Sequence, residues 1–277
     1  MEATLTFLGT GTSMGVPTLG CGCAVCTSAM DGTRPHNRRT RASVRLDYNG
    51  RTVLIDTGQD FHFQAIREKV THVDAVLYTH GHADHVLGMD DLRPLSFANP
   101  IPLYADDETA SVIERIFEYT FRTHDRYTTS ARVEMHRIST DPGTTVELFG
   151  AVFQRIPVQH GRQVITGWRF GKAAYLTDLS SLPEESFALL EDLDVLIVDA
   201  LRRAPHPSHS NLENSIALVE RIKPRRAFFT HISHDLDHDA INAELPPHIR
   251  MSHDGMCLDF EIAEDRTAES RITGGKE

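Results

Sequence analysis

A chain of 277 residues, 40% hydrophobic and 24% charged, has the balance of an ordinary soluble protein and enough apolar mass for a sizeable core. Its net charge of −11 argues against a nucleic-acid binder, which ordinarily shows a basic footprint, and favours a small-molecule partner. No apolar run is long enough to span a bilayer, and Met1-Glu2-Ala3-Thr4 does not begin a secretory signal, so the expected location is cytoplasmic with no membrane partner.

Apolar strand-like runs alternate with amphipathic helix-like runs along the chain. A first strand at 4–8 is followed by a segment, 9–40, with no convincing strand or helix. A loop that long implies function or an internal staple. Strands are then expected at 42–48, 52–55, 75–78 and 101–104, with helices at 61–69 and 108–119. Further strands fall at 132–138, 145–149, 152–158, 165–170, 174–176, 195–198, 227–230 and 257–262, and further helices at 184–191, 211–222 and 240–244. Short strands with interspersed helices give two sheets covered by helices, a layered α/β fold. There is no repeat, low-complexity block or internal linker, so residues 1–264 are expected to form one domain and 265–277 a polar tail.

The densest chemistry lies in Thr79-His80-Gly81-His82-Ala83-Asp84-His85, directly after an apolar run. Three imidazoles and a carboxylate this close to a core need a partner, and a divalent cation suits them. His80 and His82, two apart in extended chain, can face the same way, while Asp84 and His85 can aim at a second ion. A strand's C-terminal edge is where open α/β sheets place their ligands.

THGHADH resembles the HxHxDH motif of the metallo-β-lactamase superfamily. The superfamily's other motifs have counterparts in order. Val53-Leu54-Ile55-Asp56 resembles its first strand-and-aspartate, followed by His160 after 156–158, Asp178 after 174–176 and His231 after 227–230. The resemblance implies an αβ/βα sandwich of two mixed sheets flanked by helices. It also implies that His80, His82 and His160 hold one ion, that Asp84, His85 and His231 hold the other, and that Asp178 bridges them. Asp56 is expected to orient a metal-bound histidine. Ligands restricted to nitrogen and oxygen suit zinc, manganese or iron, with zinc or manganese the expectation. Two ions about 3.5–4 Å apart can activate a shared water and hold both oxygens of an in-line displacement at phosphorus. Phosphodiester hydrolysis is therefore expected, with Asp84 counted among the catalytic residues.

Cys21, Cys23 and Cys26 offer three thiolates within six positions but lack the fourth ligand of a closed structural zinc site. His234, His36 and Cys257 are the candidates, and His234 is preferred because it follows His231 by three residues. GTGTSMGVPTLGCGCAVC, the arginine-rich HNRRTRAS and HISH at 231–234 resemble the PhnP-type cyclic phosphodiesterases of the carbon–phosphorus lyase pathway. That resemblance implies a structural zinc on three N-terminal cysteines and a late histidine. It also implies 5-phosphoribosyl 1,2-cyclic phosphate as substrate, ribose 1,5-bisphosphate as product, and a homodimer.

The loop between Asp199 and the helix at 211 carries His206 and His209. By the same resemblance a histidine of this loop is catalytic. His209 is the expected general acid, protonating the oxygen that leaves when a metal-bridging hydroxide attacks, and His206 is the runner-up. Arg38, Arg39 and Arg41, with Arg34, could bind a second phosphate through bidentate guanidinium contacts or form a solvated basic run. Two other readings share the motifs: a tRNA 3′-processing endonuclease, and a non-catalytic metal-binding scaffold or sensor. Negative charge and the CxCxxC insertion count against the first, and an intact ligand set against the second.

Overall fold

Short apolar runs with no helical period pair into two seven-stranded sheets. The first is built from β1 (Glu2–Gly9), β2 (Ser43–Tyr48), β3 (Arg51–Ile55), β4 (Ala75–Leu77), β5 (Ile101–Ala105) and β6 (Val133–Arg137). The second contains β7 (Thr145–Leu148), β8 (Ala151–His160), β9 (Gln163–Phe170), β10 (Ala173–Leu176), β11 (Val195–Asp199), β12 (Arg226–Thr230) and β13 (Ile249–Met251). The last strand, β14 (Cys257–Glu261), returns to pair antiparallel with β1, giving the orders β14-β1-β2-β3-β4-β5-β6 and β13-β12-β11-β10-β9-β8-β7. This computed structural model describes residues 1–122, 124 and 128–262, so the expected tail at 265–277 lies outside the described residues.

Strands β3 to β6 run parallel, as do β10 to β13. Parallel strands are covered on both faces and read as continuous apolar runs, and the five residues of β11 are all buried. Between the sheets lies a shared core that includes Phe7, Tyr48 and Leu77 from the first and Phe153, Trp168, Phe170 and Tyr175 from the second. Hydrogen bonds cross between the sheets, among them Trp168 Nε1 to the Tyr78 carbonyl at 3.3 Å and Thr166 N to the Thr79 carbonyl at 3.0 Å. These two tie the second sheet to the residues just before His80.

Helices cover the outer faces. On the first sheet these are α2 (Phe61–Arg67), α3 (Ala83–Val86), α4 (Asp107–Ile116) and α5 (Glu118–Phe121), with Phe61, Val86, Ala110 and Ile113 packing on Leu54, Val76 and Leu103. On the second, α6 (Glu184–Ala188), α7 (Leu212–Ile222) and α8 (His238–Glu244) contribute a cluster in which Leu212, Val219 and Ile241 meet Val198 and Phe229. The main helices start at side-chain caps: Asp106 accepts from Thr109 N, Asn211 from Asn214 N and Asp237 from Ala240 N. Among the described residues no helix is long and apolar enough to cross a membrane.

Several elements depart from the sequence expectation, including the unexpected α3 and a 3₁₀ segment at Met89–Leu95. The supposedly irregular segment 9–40 contains α1 (Ala24–Asp31) and a 3₁₀ turn at Pro35–Asn37, because the Cys23 side chain caps the helix by accepting from Cys26 N. The expected helix at 108–119 is divided at Phe117, whose backbone leaves the helical region. Finally, β13 has three residues and is defined by its pairing with β12 rather than by any pattern of its own.

Candidate active site

The functional side chains gather at one end of the sandwich, beyond the C-terminal ends of parallel strands. Asp56 follows β3, His80 comes three residues after β4, Asp178 two residues after β10, and His231 directly follows β12. Asp56, Asp178 and His231 have left-handed backbone, with φ of 65°, 54° and 56°. Such conformations cost energy in a non-glycine residue and recur at functional sites. Here each one turns a side chain out of the strand's alternation into the space between the sheets. Gly58 serves the same corner, since a Cβ there would overlap the Asp84 carbonyl.

The structure brings together all seven ligands expected from the sequence, in two groups that share Asp178: His80, His82, His160 and Asp178, and Asp84, His85, Asp178 and His231. Within each group the ligand atoms lie within 4.8 Å of one another. The shared carboxylate divides its oxygens. Asp178 Oδ2 lies 3.8 Å from His80 Nε2 and 4.0 Å from His160 Nε2, while Oδ1 lies 3.1 Å from His85 Nε2 and 3.4 Å from His231 Nε2. Asp84 Oδ2 lies 3.3 Å from His85 Nε2 and 3.6 Å from His231 Nε2.

Asp84 Oδ2, His85 Nε2 and His231 Nε2 are buried and have no hydrogen-bond partner among the described residues. Buried polar atoms are normally satisfied, so three converging orphans mark a place for something absent from the polypeptide. Divalent cations fit it: every converging donor is nitrogen or oxygen, and one carboxylate faces both groups. In the second group, against burial, Asp178 and Asp84 raise His85 and His231, the latter to about 9, so a cation binding there displaces protons. Burial opposes charge on Asp178, yet His231 and His85 hold its carboxyl well below the usual range. Burial, then His85, keeps His80 neutral by pushing its pKa well down, the form a ligand needs.

Asp56 is fully buried behind this pair of groups. Its carboxylate accepts from Thr79 N and Thr79 Oγ1, each at 2.8 Å, and its Oδ2 lies 2.7 Å from His85 Nδ1. His160 is oriented in the same way, by the Ser208 carbonyl 2.8 Å from its Nδ1. Such partners fix which ring nitrogen faces the ion.

His209 occupies the mouth. Its ring stacks on His231, with centroids 4.7 Å apart and planes 9° from parallel, and its Nδ1 lies 2.8 Å from Asp199 Oδ2. Asp199, the last residue of β11, is the functional residue the sequence reading overlooked. The signal was present in Val195-Leu196-Ile197-Val198-Asp199, an apolar run ending in aspartate like Val53-Leu54-Ile55-Asp56. Burial, reinforced by Asp178 against His231, raises the Asp199 carboxyl well above its ordinary value. Burial, followed by His231, lowers His209 to about 4. His206 lies 5.0 Å from the His209 ring and contacts Ser208 through its Nδ1.

The cysteines form a separate group. His234 Nδ1 lies 3.2, 3.4 and 3.5 Å from the Sγ atoms of Cys21, Cys23 and Cys26. These four atoms fit a closed tetrahedral zinc site. The other candidates stand elsewhere: Cys257 is exposed on β14, and His36 stacks on His253 at 4.0 Å.

The arginine expectation needs correcting. Arg39 is 2% exposed and engages Thr10 Oγ1, the Ser252 carbonyl and His238 Nδ1, so it is a structural tie with no face for substrate. Arg41 pairs with Asp60 and donates to the Ser13 carbonyl, and Arg34 pairs with Asp237. Arg38 is exposed, beside a turn in which Asn37 binds Asp237 and the His238 amide.

Fold and site together define a metal-dependent hydrolase of the metallo-β-lactamase kind. Residues 51–232 match the family model described as the β-lactamase superfamily domain. A solved structure described as a new diphosphatase from the PhnP family is 51% identical, covers 95% of this chain and 99% of its own, and superposes with a TM-score of 0.88. The chain belongs to the PhnP family within that superfamily. Octanoyltransferase of Porphyromonas gingivalis is 33% identical over 255 residues, covering 90% of this chain but only 50% of that protein. Ribonuclease Z of Clostridium acetobutylicum is 35% identical over 77 residues, 27% of this chain and 25% of that protein. The chain therefore spans half or less of both these curated relatives.

Proposed function

We propose that the protein hydrolyses a small cyclic phosphodiester, with 5-phosphoribosyl 1,2-cyclic phosphate, opened to ribose 1,5-bisphosphate, as the leading substrate. The observation that carries this reading is the His209–Asp199 pair beside the two ligand groups. Opening a cyclic diester expels an alkoxide, a poor leaving group that needs a proton, and a positioned acid contributes roughly a hundredfold or more. Phosphate leaving from a diphosphate needs this help far less.

In this reading His80, His82 and His160 hold one ion, Asp84, His85 and His231 hold the other, and Asp178 serves both. Zinc or manganese ions bound there would supply Lewis-acid polarisation of the phosphoryl oxygens and activation of water. The polypeptide does the rest. His209 is neutral in the free site, and the negative charge of the bound diester favours the imidazolium, whose Nε2 proton passes to the departing oxygen. Asp199 holds Nδ1 and so aims the ring, and Asp56 and Ser208 hold His85 and His160 in their ligand orientations.

A second reading, cleavage of a P–O–P bridge, is favoured by the 51%-identical relative described as a diphosphatase. The two separate in a parallel assay of manganese- or zinc-loaded protein. The substrates are 5-phosphoribosyl 1,2-cyclic phosphate, 2′,3′-cyclic nucleotides, a small organic diphosphate and pre-tRNA. Turnover of a cyclic ester that collapses in His209→Ala supports the main reading. Turnover of diphosphate alone, or of pre-tRNA alone, overturns it.

A further inference from the structure

We infer that Arg162 is a substrate-positioning residue that binds a second phosphate of the substrate, remote from the phosphorus undergoing attack. This rests on the phosphodiesterase reading above and adds to it a subsite for an anionic group.

Arg162 stands at the turn between β8 and β9, two residues beyond His160. The turn is braced from several sides. Gln159 Nε2 donates to the carbonyls of Gly161 and Gln163, each at 3.0 Å, and Gly161 N donates to Ser180 Oγ at 3.2 Å. Gly161 has a φ of +56°, and a Cβ there would lie 3.2 Å from Ser208 Cβ. The turn therefore packs directly on the loop carrying His206 and His209, and its tip stands at the rim of the site.

On that braced turn Arg162 is exposed and has no hydrogen bond or ion pair among the described residues. Apart from the exposed Arg38, the other arginines of the neighbouring loops are committed. Arg39 and Arg41 are engaged as described above, Arg202 donates to the carbonyls of Ala204 and Pro205, and Arg203 pairs with Glu244. Glu108 of α4, a carboxylate near the turn, is bound by Gln163 Nε2 rather than by Arg162. In that reading the diester sits at the two cations, whereas the remote phosphate still meets a protein of charge −11 and needs a cationic partner of its own. The braced turn fixes where the Arg162 side chain starts, and its uncommitted guanidinium offers a bidentate partner to phosphate.

The test compares 5-phosphoribosyl 1,2-cyclic phosphate with ribosyl 1,2-cyclic phosphate, the same ester lacking the 5-phosphate. In Arg162→Ala, kcat/KM for the phosphorylated ester should fall about ten- to a hundredfold more than for its analogue, mostly through KM. Arg162→Lys should recover part of the loss. Equal losses on both esters, or none on either, would overturn the assignment. Calorimetric binding of ribose 5-phosphate to metal-loaded protein tests the subsite without turnover. Weaker binding by Arg162→Ala, with neither ester hydrolysed, would sink the proposed reaction and uphold the subsite. Unchanged binding would overturn the subsite whichever ester is cleaved.

Discussion

Asp56 Oδ2 lies 2.7 Å from His85 Nδ1, and neither side chain meets solvent. The same carboxylate accepts from the backbone and hydroxyl of Thr79, so it joins the end of β3 to both sides of the ligand run. Asp56→Asn would present an amide to a ring that needs an acceptor. Metal affinity or activity should drop about 10- to 100-fold, as it does when such outer partners are removed. Metal content per chain, with turnover measured alongside, checks this, and full metal occupancy with undiminished turnover would refute it.

Removing the imidazole in His209→Ala should lower kcat roughly a hundredfold or more, leaving metal content intact. Asp199→Asn should lower kcat in the same direction, since Nδ1 loses the carboxylate 2.8 Å away. Both losses should shrink with aryl diesters, whose leaving oxygen needs no proton. A loss independent of the leaving group would assign His209 a role other than acid.

For the cysteine group, the Cys26 N–H is the largest influence lowering the Cys23 thiol to about 6, so Cys23 is readily a thiolate at neutral pH. Cys23→Ser should remove about one zinc per chain and lower the melting temperature, because a closed zinc site contributes folding energy directly. The site ties α1 to the residue three beyond His231, so turnover should also decline. Unchanged zinc content would show that these four residues hold no metal.

Acid should destabilise the fold partly through His238. Burial, then Arg39, His36 and His253, lowers its pKa from 6.5 to about 3. Because the folded-state value is depressed, the unfolded chain binds more protons between these limits. This contribution to stability is fully present above pH 6.5 and is lost as pH falls toward about 3. Melting temperatures from pH 7 to pH 4 should fall less steeply for His238→Gln than for the parent, and parallel curves would contradict the assignment.

Composition and motif order placed thirteen of the fourteen strands among the described residues and all seven of the clustered His and Asp side chains, because parallel strands buried on both faces must be continuously apolar and cation donors are drawn from few residue types. They could not identify β13, which exists only by pairing, or α1, whose cap is a cysteine side chain. They also marked Arg39 as available to substrate, when it is buried under Ser252 and His238.

The sequence by itself determined the class of chemistry, since six positions directly after an apolar run held three histidines and an aspartate, a donor density that suits a divalent cation. Tertiary structure decided which residue aims which. Asp199 and His209 are ten apart in sequence, Asp56 and His85 twenty-nine, and Cys21 and His234 more than two hundred. Each pair meets only because strand ends and loops from two sheets converge on one edge, and hydrogen-bond geometry there depends on positions in space that no local pattern encodes.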